Sequence, residues 1–136
     1  PPMPSPSMPR PSHRQVVTRF RELLVAQGLL PAMRYANEQS RHRFTAIYRF
    51  DGPTLRNVLL VDRLDESVSA TPDLPVLESY CVFVRDASAR FLTEDSPHDA
   101  RTEGHAKREA VQSYCGIPIM AADGTLWGTI CHFDYA

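Results

Sequence analysis

The stretch that decides the fold is SYCGIPIMAADGTLWGTICHFD, from Ser113 to Asp134. Two runs rich in β-branched, aromatic and small apolar residues flank Asp123-Gly124, and glycine supplies the positive φ that a tight turn needs. Gly116 and Gly128 leave both arms with a position that has no side chain, where a neighbouring group can approach the backbone closely. The stretch therefore predicts an antiparallel hairpin that belongs to a larger sheet.

Alternation predicts a second hairpin nearer the start of the chain. Residues alternate in size and polarity from Phe44 to Phe50, Asp51-Gly52-Pro53 provides a turn, and an apolar run returns from Leu55 to Val61. The strands of the terminal hairpin carry apolar groups on both faces, as burial between two layers requires. We therefore expect an α+β fold, with an antiparallel sheet of five to six strands flanked by helices on both faces.

Periodicity and turn residues divide the rest of the chain. Ser12 suits the N-cap of a first helix and Gly28 suits its end. The expected helices cover Arg14–Leu30, Pro31–Ser40, Val76–Asp86 and Glu103–Val111, a short strand covers Ala89–Thr93, and loops cover Leu64–Pro75 and Glu94–Thr102.

Composition indicates one domain with a short leading segment. Residues 1–12, PPMPSPSMPRPS, are rich in proline and predict a disordered lead-in, and residues 13–136 suffice for a single domain with its own core. The 15 basic and 16 acidic residues nearly balance, which disfavours nucleic-acid and membrane partners. No apolar run is long enough to span a membrane and no signal peptide is visible, so we expect a cytoplasmic protein.

The chain has three cysteines, Cys81, Cys115 and Cys131, and no Cys-x-x-Cys pair. An odd number without secretory features predicts free thiols in a reducing compartment. A metal site would have to combine Cys115 and Cys131 with His132, and His105 is the only obvious further ligand. A two-residue turn in the terminal hairpin would place Cys115 opposite His132, and a three-residue turn would place it opposite Cys131. Because neither register completes four ligands, we expect no metal and no cofactor.

The order and spacing of these elements resemble the GAF family, the small-molecule sensor domain of many signalling proteins. Gly116-Ile117-Pro118-Ile119, Asp123-Gly124 and the strand from Gly128 to Asp134 resemble the family's closing hairpin. Ser79-Tyr80-Cys81, Phe91 and the segment from Asp95 to Arg101 resemble its middle helix, third strand and Asp-x-Arg loop. The resemblance covers about residues 14 to 134.

The resemblance implies a ligand pocket between the sheet and the segment that runs roughly from residue 76 to residue 111. The side chains that it implies for the pocket lining are Tyr48, Tyr80, Cys81, Arg101 and His132. Arg101 also has a purely structural interpretation, as an ion pair with Asp99 or Asp95 that holds the loop together. No catalytic triad, carboxylate pair or phosphate-binding glycine loop is apparent.

The resemblance leaves three functions open. The first is a non-catalytic sensor or regulatory domain, the second is an enzyme that reduces methionine sulfoxide with thiols, and the third is a dimerisation module without a ligand. The reductase would be expected to carry a cysteine between Asp95 and Val111, where this sequence has none. The Asn-Lys-x-Phe-Asp-Glu signature of cyclic-nucleotide-binding members and the Asp-Ile-Pro motif of bilin-binding members are also missing. The sensor is therefore our first hypothesis.

Assembly is predicted from the first helix. GAF domains usually continue past the last strand into a long helix that packs beside the first. The sequence stops at Ala136 before such a helix, so either the chain was cut there or the helix is missing in this variant. The apolar stripe of the first helix would then pair with that of a second copy, with Leu23 or Leu24 at the contact. Alternatively, the stripe covers the back of its own sheet and the protein is a monomer.

Overall fold

A single antiparallel sheet of six strands organises the structure, a computed structural model that describes residues 10–135. Its spatial order is β3-β2-β1-β6-β5-β4, and every neighbouring pair is antiparallel. The strands are β1 (Phe44–Asp51), β2 (Thr54–Asp62), β3 (Leu74–Pro75), β4 (Phe91–Thr93), β5 (Ser113–Met120) and β6 (Leu126–Asp134). The helices are α1 (His13–Gln27), α2 (Leu29–Glu38) and α3 (Cys81–Ala87). The α+β expectation is confirmed, and most of the predicted disordered lead-in lies outside the described residues.

The boundaries of α1 follow the local sequence signals. The Ser12 Oγ accepts a hydrogen bond from the Gln15 backbone N–H at 3.2 Å, and the Gln15 side chain accepts one from the Ser12 N–H at 2.7 Å. This reciprocal capping box satisfies donors that the first turn leaves free. Gly28, with a φ of 96°, ends α1 three residues before the predicted boundary and begins α2 directly.

The pairing of β1 with β6 joins the two predicted hairpins, β1–β2 and β5–β6, into one sheet. At one end of this pairing Arg49 lies opposite Gly128, and the β1 backbone passes so close that a Cβ on Gly128 would collide with the carbonyl oxygen of Tyr48. Tyr114 packs its ring over Gly116 in the same way. Both glycines therefore occupy positions of close approach, as the sequence predicts.

Alternate residues of the central strands divide the core between the two faces of the sheet. On one face, Ala46 and Tyr48 pack with Val84 of α3. On the other face, Ile47 packs with Met33 of α2. Helices therefore cover both faces, and the sheet is buried from both sides over its central strands.

Three local expectations are wrong. Glu103–Val111 forms successive turns in place of a helix, because Gly104 adopts a left-handed φ of 80° that interrupts any helical run. The predicted loop before α3 contains β3, whose residue Leu74 pairs with Leu55. The predicted helix over Val76–Asp86 is divided, because Ser79 has an extended backbone between a 3₁₀ turn and α3. Within residues 10–135, no helix has the length and apolar character to cross a membrane.

The close approach at Gly128 predicts a large steric effect of a single methyl group. We expect Gly128→Ala to lower the free energy of unfolding by at least about 2 kcal/mol, because a Cβ forces β1 and β6 apart. Gly124→Ala is the control, since Gly124 has a φ of 86° but no atom within 4 Å of a Cβ, and should lose only about 1 kcal/mol. Urea denaturation of both variants measures the difference, and equal losses would contradict close packing at Gly128.

Candidate functional site

An open cleft of about 230 Å³ lies on the face of the sheet that α3 covers. Its floor comes from the core-facing residues of β1, β5 and β6, and its walls come from the segments around residues 71–80 and 107–111. Its lining residues are Tyr48, Thr71, Pro72, Asp73, Leu74, Glu78, Ser79, Tyr80, Lys107, Val111, Tyr114, Cys131, Phe133 and Tyr135. Aromatic rings supply much of this surface, and the charged residues are confined to three positions.

Tyr48 brings a phenol into the cleft from the centre of β1. Its side chain is only 7% exposed, yet its hydroxyl makes no hydrogen bond to another residue within the described chain. Burial, followed by the nearby Cys131 and Cys81 thiols, raises the pKa of Tyr48 far above its ordinary value. The hydroxyl is therefore neutral at physiological pH and can donate a hydrogen bond to a bound molecule.

Tyr80 fixes one wall of the cleft. Its hydroxyl shares a hydrogen bond with Ser96, whose hydroxyl in turn donates to the Arg108 carbonyl at 3.1 Å. The Tyr80 ring also meets the His105 ring edge-on at 4.6 Å between centroids. These contacts tie the segment after β4 to the start of α3, so the turns that replace the predicted helix are held in place.

His105 adds a second tie between the two walls. Its Nε2 lies 3.1 Å from the Ser79 carbonyl oxygen. Burial lowers the pKa of His105, the hydrogen bond to Ser79 opposes that change, and the nearby Lys107 charge adds to the lowering. The neutral ring keeps one N–H to donate to Ser79, and its Nδ1 accepts from the Lys107 backbone N–H at 3.0 Å.

Cys81 lies below the cleft floor. It is fully buried, and its Sγ contacts the Tyr114 hydroxyl at 3.3 Å and the Thr129 hydroxyl at 3.1 Å. The neighbouring Cys131 does line the cleft, and its hydrogen bond with Cys81 together with burial holds the pKa of Cys131 well above its ordinary value. Cys81 thus supports the floor through its neighbours, and all three thiols of the described chain are free.

Three charged residues stand at the mouth of the cleft, and they differ in how they are held. The Asp73 carboxylate accepts hydrogen bonds from Arg56 at 3.1 Å and from the Asn57 backbone N–H at 2.8 Å. Glu78 and Lys107 take part in none of the ion pairs of the described residues. Glu78 is exposed to solvent, whereas Lys107 is half-buried.

A GAF-domain family model matches residues 24–135, which is most of the chain. The chain belongs to the GAF family. No curated protein sequence matches it. The family assignment agrees with the six-stranded sheet and with the resemblance of the terminal hairpin.

Solved structures share this GAF fold at low sequence identity. The free methionine-R-sulfoxide reductase from Neisseria meningitidis, in complex with its substrate, superposes with a TM-score of 0.68 at 14% identity, covering 90% of this chain and 72% of that chain. The GAF domain of the Acinetobacter phosphoenolpyruvate-protein phosphotransferase gives 0.67 at 12% identity, covering 88% and 75%. The corresponding GAF domain from Coxiella burnetii gives 0.66 at 14% identity, covering 90% and 77%. At these identities the likeness is one of fold.

Arg101 of this GAF domain is not among the residues that line the cleft. Its guanidinium binds the Asp99 carboxylate through two hydrogen bonds of 2.6 and 3.0 Å and donates to the Leu92 carbonyl at 2.6 Å. It also lies 4.5 Å above the centre of the Phe91 ring. The hydrogen bonds from Arg101 hold the pKa of Asp99 well below its usual range. Arg101 therefore pins its loop, as the structural interpretation predicts.

His132 faces the opposite side of the sheet from the cleft. Its Nδ1 lies 2.6 Å from the Thr45 hydroxyl, which accepts a hydrogen bond from the Asn37 side-chain amide of α2 at 2.8 Å. Because the Asn37 amide supplies a donor, the Thr45 hydrogen is free to donate to a neutral His132. Burial is the main reason that the pKa of His132 is lowered to about 4, and the nearby His42 and Arg63 add to it.

The terminal hairpin has Cys115 opposite His132 and Gly116 opposite Cys131. This is the register predicted for a two-residue turn, although the chain reaches it through a bulge between Ile119 and Met120. Among the described residues, no three side chains of His, Cys, Asp or Glu are grouped so that they could hold a metal ion.

Of the five residues implied for the pocket, Tyr48 and Tyr80 line the cleft, Cys81 lies beneath it, and Arg101 and His132 lie elsewhere. The alternation of β6 could have separated His132 from its neighbours, since Cys131 and Phe133 have the opposite parity. Sequence reasoning missed the aromatic residues of the floor and the wall formed by residues 71–74. The floor residues could have been found from strand alternation. The wall depends on β3, which is only two residues long and therefore leaves no alternation pattern in the sequence.

The neutral His132 predicts a pH-dependent stability. Its folded pKa of about 4 lies below the ordinary value of 6.5, so the unfolded chain binds a proton first as the pH falls. The contribution of neutral His132 to the free energy of unfolding is therefore fully present above pH 6.5. It is lost as the pH falls from 6.5 to about 4, by roughly 3 kcal/mol in total.

We expect His132→Gln to flatten the pH dependence of the free energy of unfolding over this window. Exposed His98 provides the control, because His98→Gln leaves the contact between His132 and Thr45 intact. Urea titrations between pH 4 and 7 measure both variants, and identical pH profiles for wild type and His132→Gln would contradict a buried neutral imidazole.

Proposed function

We propose that this GAF domain is a non-catalytic sensor module in signal transduction, and that it binds a small molecule in the cleft above β1 and β6. The observation that carries the proposal is the unpartnered phenol of Tyr48 in a largely aromatic cleft. The hydroxyl opens into the cleft, where a ligand that accepts its hydrogen would replace water and gain a hydrogen bond within a largely apolar site. Concave, mostly apolar sites with few polar groups are typical of small-molecule recognition.

The walls of the cleft also suit a regulatory role. Tyr80 and His105 connect the segment after β4 to the start of α3, and Tyr80 lines the cleft with His105 packed against its ring. A ligand that packs against Tyr80 would therefore change the restraint on two chain segments at once. We propose that such a change of restraint is the signal that the domain passes on.

The alternative of a methionine sulfoxide reductase has support from the solved reductase of the same fold, but the thiols argue against it. A thiolate must reach its substrate, and Cys81 is fully enclosed below Tyr114 and Thr129. Cys131 lines the cleft but is only 1% exposed, so its thiol is also enclosed. We therefore place binding rather than thiol chemistry at this site.

A ligand screen with a blocked cleft tests the proposal. A compound that binds the native state at a hundredfold excess over its dissociation constant stabilises it by about 2.7 kcal/mol, which raises the melting temperature by several degrees. Thr71→Trp should abolish that rise, because Thr71 is a half-buried wall residue and an indole there fills the cleft.

The matched control is Thr18→Trp, since Thr18 is exposed on α1 at the other side of the molecule. Thermal-shift measurements with a chemically diverse set of small molecules should find stabilisers of wild type and Thr18→Trp that have no effect on Thr71→Trp. A set without stabilisers, or stabilisers that act equally on both tryptophan variants, would contradict binding in the cleft.

We also propose that two copies associate through the outer side of α1. Leu23 is buried within its own chain, so it does not fulfil the expected role at a dimer contact. Leu24 is 40% exposed and Val25 is 88% exposed, and these neighbours leave an apolar strip on the helix surface. A two-fold axis beside α1 would cover the strip on both copies.

The dimer proposal makes Leu24 the decisive residue. We expect Leu24→Glu to dissociate the dimer without unfolding the domain, because Leu24 is 40% exposed and is not part of the buried core of its own chain. Ala26→Glu is the matched control, because Ala26 is exposed on α1 but points away from the side of Leu24, and it should leave the dimer intact. Light scattering should give twice the 15.3 kDa of one chain for wild type and for Ala26→Glu. A wild-type mass of 15.3 kDa at micromolar concentrations would refute the dimer.

A further inference from the structure

The basic residues of this chain are arginines with a single exception. Of 15 basic residues, Lys107 is the only lysine, and it stands at the mouth of the cleft. An ammonium group is a compact, mobile charge, whereas a guanidinium is a planar fork that commonly forms fixed double hydrogen bonds. Two arginines of the described chain form such bonds, Arg43 with Asp62 at 2.7 and 2.9 Å and Arg101 with Asp99 at 2.6 and 3.0 Å.

The main chain of Lys107 is fixed while its ammonium is free. Its N–H donates to His105 at 3.0 Å, and its carbonyl accepts from Val111 at 2.9 Å. The side chain is half-buried and forms no ion pair or hydrogen bond with any of residues 10–135. The ammonium therefore has no partner within the described chain, and an anion bound in the cleft would supply one beside an apolar surface that weakens competition from water.

Glu78 is the competing charge at the mouth, and it favours a cation. It is exposed, however, so water already solvates its carboxylate, and a ligand charge there gains little. Asp73 is also exposed, and it pairs with Arg56, which it shares with Asp51. Lys107 is therefore the one charged lining residue that is half-buried and has no partner within the described chain.

The lining of the cleft favours a flat, aromatic ligand. The rings of Tyr48, Tyr80, Tyr114, Phe133 and Tyr135 all contribute to its lining. Aromatic rings pack favourably against each other in offset or edge-to-face arrangements. A volume of about 230 Å³ is also below the roughly 300–1,000 Å³ of pockets for drug-sized molecules, so a molecule of one or two rings fits best.

We propose that the cleft binds a small aryl carboxylate, with the carboxylate on the Lys107 ammonium and a second acceptor of the ligand on the Tyr48 hydroxyl. This inference rests on the proposed sensor function, because it names the ligand class of the same cleft. It adds that the ligand must carry a negative charge, which the proposed sensor function by itself does not require.

Calorimetric titration with a matched series tests the ligand class. The probes are 4-hydroxybenzoate, its neutral counterpart 4-hydroxybenzamide, the aromatic cation tyramine and the non-aromatic cyclohexanecarboxylate. We expect 4-hydroxybenzoate to bind at least tenfold more tightly than the other three. Lys107→Met should weaken its binding by about tenfold to a hundredfold and leave the amide unaffected, because only the charged hydrogen bond is lost.

Lys107→Arg should restore part of the affinity, and Tyr48→Phe should weaken the acid and the amide alike by a few-fold. Arg90→Met is the control for net charge, since Arg90 is exposed and is not among the cleft-lining residues. Because the chain has one lysine, acetylation by an amine-selective reagent, followed by mass spectrometry, gives an independent measurement. Bound 4-hydroxybenzoate should slow acetylation of Lys107, and tyramine should not.

The outcomes separate the two proposals. If the amide or tyramine binds as tightly as the acid, or if Lys107→Met binds the acid like wild type, the ligand class is wrong. If Thr71→Trp nevertheless abolishes binding of the compounds that do bind, the proposed sensor function stands without this ligand class. If neither this series nor the diverse set binds in a manner sensitive to Thr71→Trp, both proposals fail.

Discussion

The pairing of β1 with β6 is the constraint on which the rest of the molecule depends. The two strands come from hairpins that are far apart in sequence, and only their pairing turns two hairpins into one sheet. The pairing requires a position without a side chain, because Gly128 lies against the backbone of Tyr48 and Arg49. Isolated hairpins are marginal in water, so each depends on the other for its stability. The same contact also places Tyr48 at the centre of the cleft.

The two faces of the joined sheet serve different purposes. The face toward α1 and α2 is filled by the chain itself, through apolar packing around Met33 and the hydrogen bonds that link Asn37, Thr45 and His132. His42, stacked on His132, keeps a buried Nδ1 there without a partner among the described residues. The face toward α3 is only partly filled, and the aromatic residues left beside the gap form the cleft. One face is therefore closely packed, and the other leaves the Tyr48 hydroxyl and the Lys107 ammonium open to a cleft.

Much of the fold could be predicted from the sequence, because the signals are local. The capping box at Ser12, the break at Gly28 and the turns at Gly52 and Gly124 all act within a few residues. The division of Val76–Asp86 and the loss of the helix before β5 could not be predicted from local signals. Contacts of Tyr80 with Ser96 and His105, which are distant in sequence, fix these segments. Only part of the site was predictable for the same reason, since alternation orients Tyr48 but only tertiary structure brings Lys107 to the same cleft.

The division of labour between the two faces is tested most directly by mapping where a ligand acts. Amide chemical shifts of the isotope-labelled domain would be followed by NMR during titration with 4-hydroxybenzoate. The account predicts saturable shifts in residues 71–80, 105–111 and 131–135, with α1 and α2 unchanged. Shifts concentrated in residues 13–38, on the face of His132, would contradict it.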